Sequence, residues 1–283
     1  MAEDKEKSAA AVDYRKLGKD VFEFFTHRTA YNSAAYLIPT LERMKQENPR
    51  LRLLDVGAGA GSVSATFAQI IGPEGHVVCT DLAPSVLPQA EAFAESLGVK
   101  NIEFKTADVH QLPFENDSFD VVHCHQLFGH IKDPVAALRE MLRVTKPGGV
   151  VAAREGDRET EIIWPPLPGL KKWHEYVFDS KVAQVHGGTL TAGRQLLAWA
   201  LEAGVKRNQI EVSYGTWLTS EEATKMVYAR GISKVLNGPS RKNALQFGLT
   251  EEDIDEICRD TLAWADREDS TWLMLQTEII VRK

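Results

Sequence analysis

Apolar runs of strand length alternate, along the first half of the chain, with longer stretches whose apolar residues recur at helical spacing. The runs are Leu51 to Val56, His76 to Thr80, Asn101 to Lys105, Phe119 to Cys124 and Val150 to Ala153. Short, nearly continuous apolar runs bounded by glycine, proline or aspartate are expected of strands buried on both faces of a parallel sheet. Between them, Val63, Phe67, Ile70 and Ile71 mark one helix and Val86 to Leu97 a second. Val135, Leu138, Met141 and Leu142 mark a third, with Asp133 placed to cap it and Pro134 at its first position. Five strands alternating with helices through short connections predict a doubly wound α/β fold.

The flanks are more helical. Val21, Phe24, Phe25, Tyr31, Ala34, Ala35, Leu37, Ile38, Leu41 and Met44 predict two helices ahead of the first strand, with His27 to Tyr31 at their junction. Beyond Arg154 a charged stretch leads to Trp164-Pro165-Pro166-Leu167-Pro168, and then to a helix around Trp173, Tyr176, Val177 and Phe178. Further helices are expected over 193–203, 220–236 and 250–265, a sixth strand over 209–214 and a last strand over 271–281. The resulting division is an N-terminal helical cap over 1–50, a ligand-binding core over 51–155, and cap helices with the remaining strands over 156–283. With no repeat and no low-complexity linker, the three parts are expected to form one body.

The candidate chemistry lies where the strands end. The first strand closes on Asp55 and runs into Gly57-Ala58-Gly59-Ala60-Gly61 before a helix, a turn in which bare backbone can approach a nucleotide-like ligand. Asp55 is expected to order this loop through backbone N–H groups. Asp81 ends the second strand 24 residues after Gly57, near the spacing at which an acidic residue accepts from ribose hydroxyls. The competing reading of Asp81 is a helix cap, a task Pro84-Ser85 could also perform. Asp108 ends the third strand, where it could accept from an adenine amine. The fourth strand ends in His123, His125, Gln126 and, after Phe128-Gly129, His130; alternation puts His123 and His125 on one face.

Composition narrows the class. Of 283 residues, 33 are Lys or Arg and 40 are Asp or Glu, a net charge of −7 that argues against nucleic acid as a partner. No apolar run is long enough to span a bilayer, and the charged start Met1 to Lys7 lacks a signal-peptide core. Cys79, Cys124 and Cys258 are scattered and odd in number, which suggests reduced thiols in a cytoplasmic protein and no metal site.

Together these motifs resemble the class I S-adenosylmethionine-dependent methyltransferases, and within them the group related to ubiquinone and menaquinone C-methyltransferases. The resemblance runs from about Ala30 to Gly204. Leu53 to Gly61 is similar to the family's first motif, with Ala58 where many members carry cysteine. Phe119 to His130 is similar to the fourth, and Leu142 to Gly149 to its Leu-Lys-Pro-Gly-Gly turn. Asn32 to Leu37 and Gly193 to Leu197 resemble a microbial subgroup of mostly unassigned substrates. The family fold is Rossmann-like, a seven-stranded sheet whose last strand runs antiparallel, here with N-terminal helices and helical cap insertions.

The resemblance implies S-adenosyl-L-methionine as cofactor, held by Gly57, Ala58, Gly59, Asp81, Leu82, Asp108 and Val109, with Asp55, His125 and Gln126 beside it. Arg28 is a candidate partner for the methionine carboxylate. His125 and His130 are candidate bases. Tyr31, Asp157, Trp164, Trp173 and His186 are candidates for the acceptor pocket, whose acceptor would be a small molecule. Oligomeric state stays open. Two other readings are a catalytically silent cofactor-binding partner subunit and a nicotinamide oxidoreductase. The second is disfavoured because Ser62 stands where a dinucleotide fingerprint needs Gly or Ala.

Overall fold

A computed structural model describes residues 25–179, 188–238 and 241–283. The five expected parallel strands are β1 (Arg52–Val56), β2 (His76–Asp81), β3 (Ile102–Thr106), β4 (Phe119–His125) and β5 (Thr145–Gly156). A short β6 (Ile162–Trp164), then β7 (Ile210–Thr219) and β8 (Thr271–Arg282), complete an eight-stranded sheet. The register gives the order β3-β2-β1-β4-β5-β8, with β8 antiparallel to β5, β6 and β7. Leu273 pairs with Ile162 on one side and Leu218 on the other, so β6 prolongs the position of β5 and β7 forms the far edge. Among the described residues the eight strands therefore occupy seven positions, and β8 alone runs opposite to the rest.

The N-terminal region breaks where one helix was expected. A four-residue turn α1 (Ala30–Ser33) ends at Ala34, whose φ of −142° leaves the helical region; a 3-10 turn follows, then α2 (Ile38–Glu47) with proline in its first turn. The preceding expected helix, except for Phe25, lies outside the described residues. The crossover helices are α3 (Ser62–Ile71), α4 (Leu87–Ser96) and α5 (Pro134–Val144). Asp133 caps α5 as expected, accepting the Ala136 N–H at 2.8 Å. Neither reading of the α4 cap holds: Val86 occupies the N-cap position without a side-chain bond, and Asp81 accepts from Ala83 in the preceding turn.

The remaining helices are α6 (Pro168–Asp179), α7 (Ala192–Glu202), α8 (Glu222–Leu236), α9 (Arg241–Gln246) and α10 (Glu251–Ala265). Thr250 and Asp253 form a reciprocal capping box at the start of α10.

Strand residues alternate between two cores. Leu53, Val77, Val121, Val150 and Ile280 face Leu37, Leu41, Phe67 and Ile71 from the N-terminal helices and α3. Leu54, Val78, Val122, Val151 and Ile279 face Leu138, Met141, Leu196 and Ala200 from α5 and α7. Burial on both sides explains why the inner strands read as continuous apolar runs. Cys79 and Cys124 are fully buried. A third core joins α6, α8 and α10 through Leu170, Ile232, Leu236, Ile257, Trp264 and Trp272. Trp264 and Trp272 meet edge to face at 5.7 Å. This cap therefore has its own apolar interior.

Candidate active site

The turn after β1 carries three glycines in the left-handed region, Gly57, Gly59 and Gly61, at φ of 67°, 55° and 69°. Their surroundings differ. A Cβ on Gly61 would stand 2.6 Å from that of Ala90, so this glycine lets α3 and α4 pack closely. A Cβ on Gly57 would meet Leu127 at 2.8 Å, whereas around Gly59 there is open space. Asp81 accepts the Gly59 N–H at 2.9 Å through one carboxylate oxygen and the Ala83 N–H at 2.9 Å through the other. Burial raises its pKa, and the backbone donors oppose that rise. The Ala58 N–H donates to Thr80 O, tying the turn to β2. Leu82 lies exposed beside Asp81.

Asp55 is arranged differently from the expectation. Its carboxylate accepts from the Ser64 hydroxyl at 2.5 Å and from His123 Nδ1 at 2.8 Å, and among the described residues no backbone N–H is its partner. The group joins α3 to β4 beneath the turn, because its alternation position aims it inward rather than toward the loop. His123 is fully buried, edge to face with Phe67 at 4.8 Å. Asp108 lies at the rim, accepting from His110 N–H and Nδ1, while the Val109 side chain is buried in the sheet core.

At the end of β4, His125 Nδ1 lies 3.1 Å from Ser33 O. A carbonyl can only accept, so Nδ1 carries the proton and Nε2 keeps its lone pair. Burial, then the charges of Arg28, His123 and Arg154, hold the His125 pKa well below the usual histidine value. Gln126 adopts φ of +50° and donates its N–H to Arg154 O. The guanidinium of Arg28 lies 5.2 Å from the Phe25 ring centroid, and its charge acts on His125, Glu155 and Tyr228. His130 is exposed at the end of the 3-10 turn Phe128–His130.

The expected acceptor residues stand in different surroundings. Tyr31 is 62% exposed and Trp164 55%. The Asp157 carboxylate is held by Arg194 through two hydrogen bonds, so it is neutralised where it stands. Trp173 packs with Tyr176 against the cap core. His186 lies outside the described residues.

Two groups that sequence reading left unassigned are more telling. Glu155 ends β5 buried, and its Oε1 accepts the N–H groups of Leu127 at 2.6 Å and Phe128 at 2.7 Å. Burial pushes its pKa up to about 7 despite those donors and Arg28. Arg154 donates to Asn32 O and Thr216 O and pairs with Glu278 at 3.3 Å. Both sit in a charged stretch that looked like an ordinary loop start. Their importance comes from neighbours distant in the chain, Asn32 and Glu278 lying more than 100 residues from Arg154.

An open parallel sheet binds its ligand at the carboxyl ends of the strands, and the glycine turn, Asp81, Asp108, His125 and Glu155 all lie there. The space at Gly59, the carboxylate of Asp81 beside it and the rim position of Asp108 fit an adenosyl group. Among the described residues there is no cluster of three or more metal-ligating side chains and no helix long and apolar enough to cross a membrane. A methyltransferase-domain family model matches residues 47–228. The chain is 30% identical to an uncharacterised methyltransferase of Schizosaccharomyces pombe over 95% of this chain and 96% of that one. It is 39% identical to the ubiquinone/menaquinone biosynthesis C-methyltransferase of Vibrio parahaemolyticus over 36% of this chain and 39% of that protein. The fold matches a solved putative methyltransferase from Bacillus halodurans with a TM-score of 0.53 at 20% identity, covering 87% of this chain and 98% of that chain.

The chain belongs to the class I S-adenosylmethionine-dependent methyltransferases. It is an enzyme of that class and uses S-adenosyl-L-methionine.

Proposed function

We propose that the enzyme methylates a small-molecule acceptor held over the carboxyl ends of β4 and β5, under the cap helices. The observation that carries this reading is the pairing of an open glycine turn, latched by Asp81 through Gly59, with a separate helical core that packs on β6, beyond the carboxyl end of β5. Such a cap suits a compact acceptor better than a polymer, and the net charge of −7 speaks against nucleic acid. The three free cysteines fit a cytoplasmic location.

In this reading Gly57, Ala58 and Gly59 cradle the cofactor, Asp81 accepts from its ribose, and Asp108 and Val109 receive the adenine. Arg28 faces its carboxylate. When bound, the cofactor supplies a methyl group already activated on sulfur for in-line displacement. The protein's remaining work is alignment and exclusion of water. If the nucleophile arrives protonated, His125 Nε2 is the oriented proton acceptor, neutral because of its burial. An acceptor that arrives deprotonated needs no base.

Titration calorimetry with S-adenosylhomocysteine and NAD tests the frame. Micromolar binding of the first and none of the second is expected; the reverse would overturn it. Asp81→Ala should lower S-adenosylhomocysteine affinity by tenfold or more, since about 1.4 kcal/mol separates each decade and a charge-assisted bond is worth roughly 1.5–3 kcal/mol. Unchanged affinity in a folded variant would remove Asp81 from the ribose role. His125→Gln should slow turnover without changing that affinity, and identical pH–rate profiles would exclude it as a base.

A further inference from the structure

Gln276 stands on β8 with a glycine on either side: its register partners are Gly156 on β5 and Gly215 on β7. It is 1% exposed, and neither its amide oxygen nor its amide nitrogen has a hydrogen-bond partner among the described residues. Burying an amide with both ends unpaired is costly, and native proteins rarely leave one so without reason.

The polar groups of the adjoining rung are already committed. Arg154 donates to Asn32 O and Thr216 O and pairs with Glu278, which accepts from the Ser213 hydroxyl at 2.7 Å. This pair fills the space left by Gly215, where a Cβ would stand 2.5 Å from Glu278 and 2.8 Å from Arg154. On the other side, a Cβ at Gly156 would meet Met274 at 2.7 Å and come within 3.6 Å of Gln126 Nε2. Gln276 therefore shares this glycine with Gln126, at the carboxyl end of β4. Tyr36 adds a buried hydroxyl without a partner among the described residues, close enough to Arg154 and Glu278 to feel their charges.

We propose that Gln276 determines acceptor specificity, reading an uncharged acceptor that presents a hydrogen-bond donor beside a hydrogen-bond acceptor, as an amide or lactam edge does. This rests on the methyl-transfer reading above. A primary amide carries both roles side by side, so only a ligand edge with the complementary pair satisfies both ends at once. The adjoining rung is neutral overall because Arg154 and Glu278 offset each other, which leaves a charged acceptor without a counter-charge there.

The test uses the whole 283-residue chain saturated with S-adenosylhomocysteine, titrated with benzamide and with N,N-dimethylbenzamide, which keeps the carbonyl and lacks the donor. Benzamide should bind the wild type about tenfold more tightly. Gln276→Leu should bring the two probes to equal affinity, leave S-adenosylhomocysteine affinity unchanged and raise Tm, because an unpaired buried amide has been removed. Gln276→Met serves if the branched side chain does not fit. Equal binding of the two probes to the wild type, or no benzamide binding, would overturn the assignment, as would a structural water satisfying the amide, seen as no discrimination. A fall in Tm in both variants would show a structural partner and overturn it as well. If S-adenosylhomocysteine itself failed to bind the wild type, the methyl-transfer reading would fall first; retained binding without probe discrimination sinks only the role of Gln276.

Discussion

The carboxylates along the sheet edge differ in what they are free to do. Asp55 has given its oxygens to Ser64 and His123 and is a structural strut, whereas Asp81 is held by two backbone N–H groups at the rim. Glu155 is buried, and its pKa rises from 4.5 to about 7. Between those values the folded protein holds a proton that the unfolded chain has lost, so stability falls as pH rises through that window. A tenfold change in proton affinity is worth about 1.4 kcal/mol, so the whole effect is on the order of 3 kcal/mol. Glu155→Gln is expected to flatten this slope, measured as urea midpoints at about pH 5 and about pH 8. An unchanged slope would mean that Glu155 is ionised throughout. The acidic nature of these residues is evident in the chain itself. Which one is strut, which latch and which buried proton site depends on partners that no local pattern names.

At the scale of elements, the strand–turn–helix unit from Arg52 to Ile71 is almost wholly legible, because apolar run, glycines and helical spacing are all local. Its three glycines look equivalent in sequence and are not equivalent in space. Gly61→Ala drives a Cβ into that of Ala90 at 2.6 Å and should destabilise the fold by about 2 kcal/mol or more, combining overpacking with left-handed strain. Gly59→Ala meets nothing and should cost only the left-handed penalty of about 1–2 kcal/mol, while sharply reducing S-adenosylhomocysteine affinity. Thermal melts and calorimetry on both variants check the contrast; equal loss of stability would refute it. The N-terminal helices were harder to read, since the break at Ala34 and the turn before Ala30 have no punctuating glycine.

For the whole molecule the decisive event is the entry of β8 between β5 and β7. It pairs with Gly156 through Val150 on one side and with the full length of β7 on the other. Removing residues 271–283 should therefore abolish folding rather than trim an edge, because β7 loses the strand it pairs with. Far-UV circular dichroism and solubility of the truncated chain check this, and a soluble, cooperatively unfolding product would contradict it. The same insertion creates the rung His125–Arg154–Glu278–Ser213 and the neighbouring Gly156–Gln276–Gly215. Element types, the parallel half of the sheet, the glycine turn and the acids at strand ends follow from apolar periodicity and short spacings, which act within some 25 residues. The grouping of Arg154, Glu278, Gln276 and Tyr36 on one face of the sheet, the burial of Glu155 on the other, and the different settings of Tyr31, Asp157, Trp164 and Trp173 were decided only by the folded chain. Hydrogen bonds between strands join residues more than 100 positions apart, and the chain carries no local mark of which strand will lie beside which.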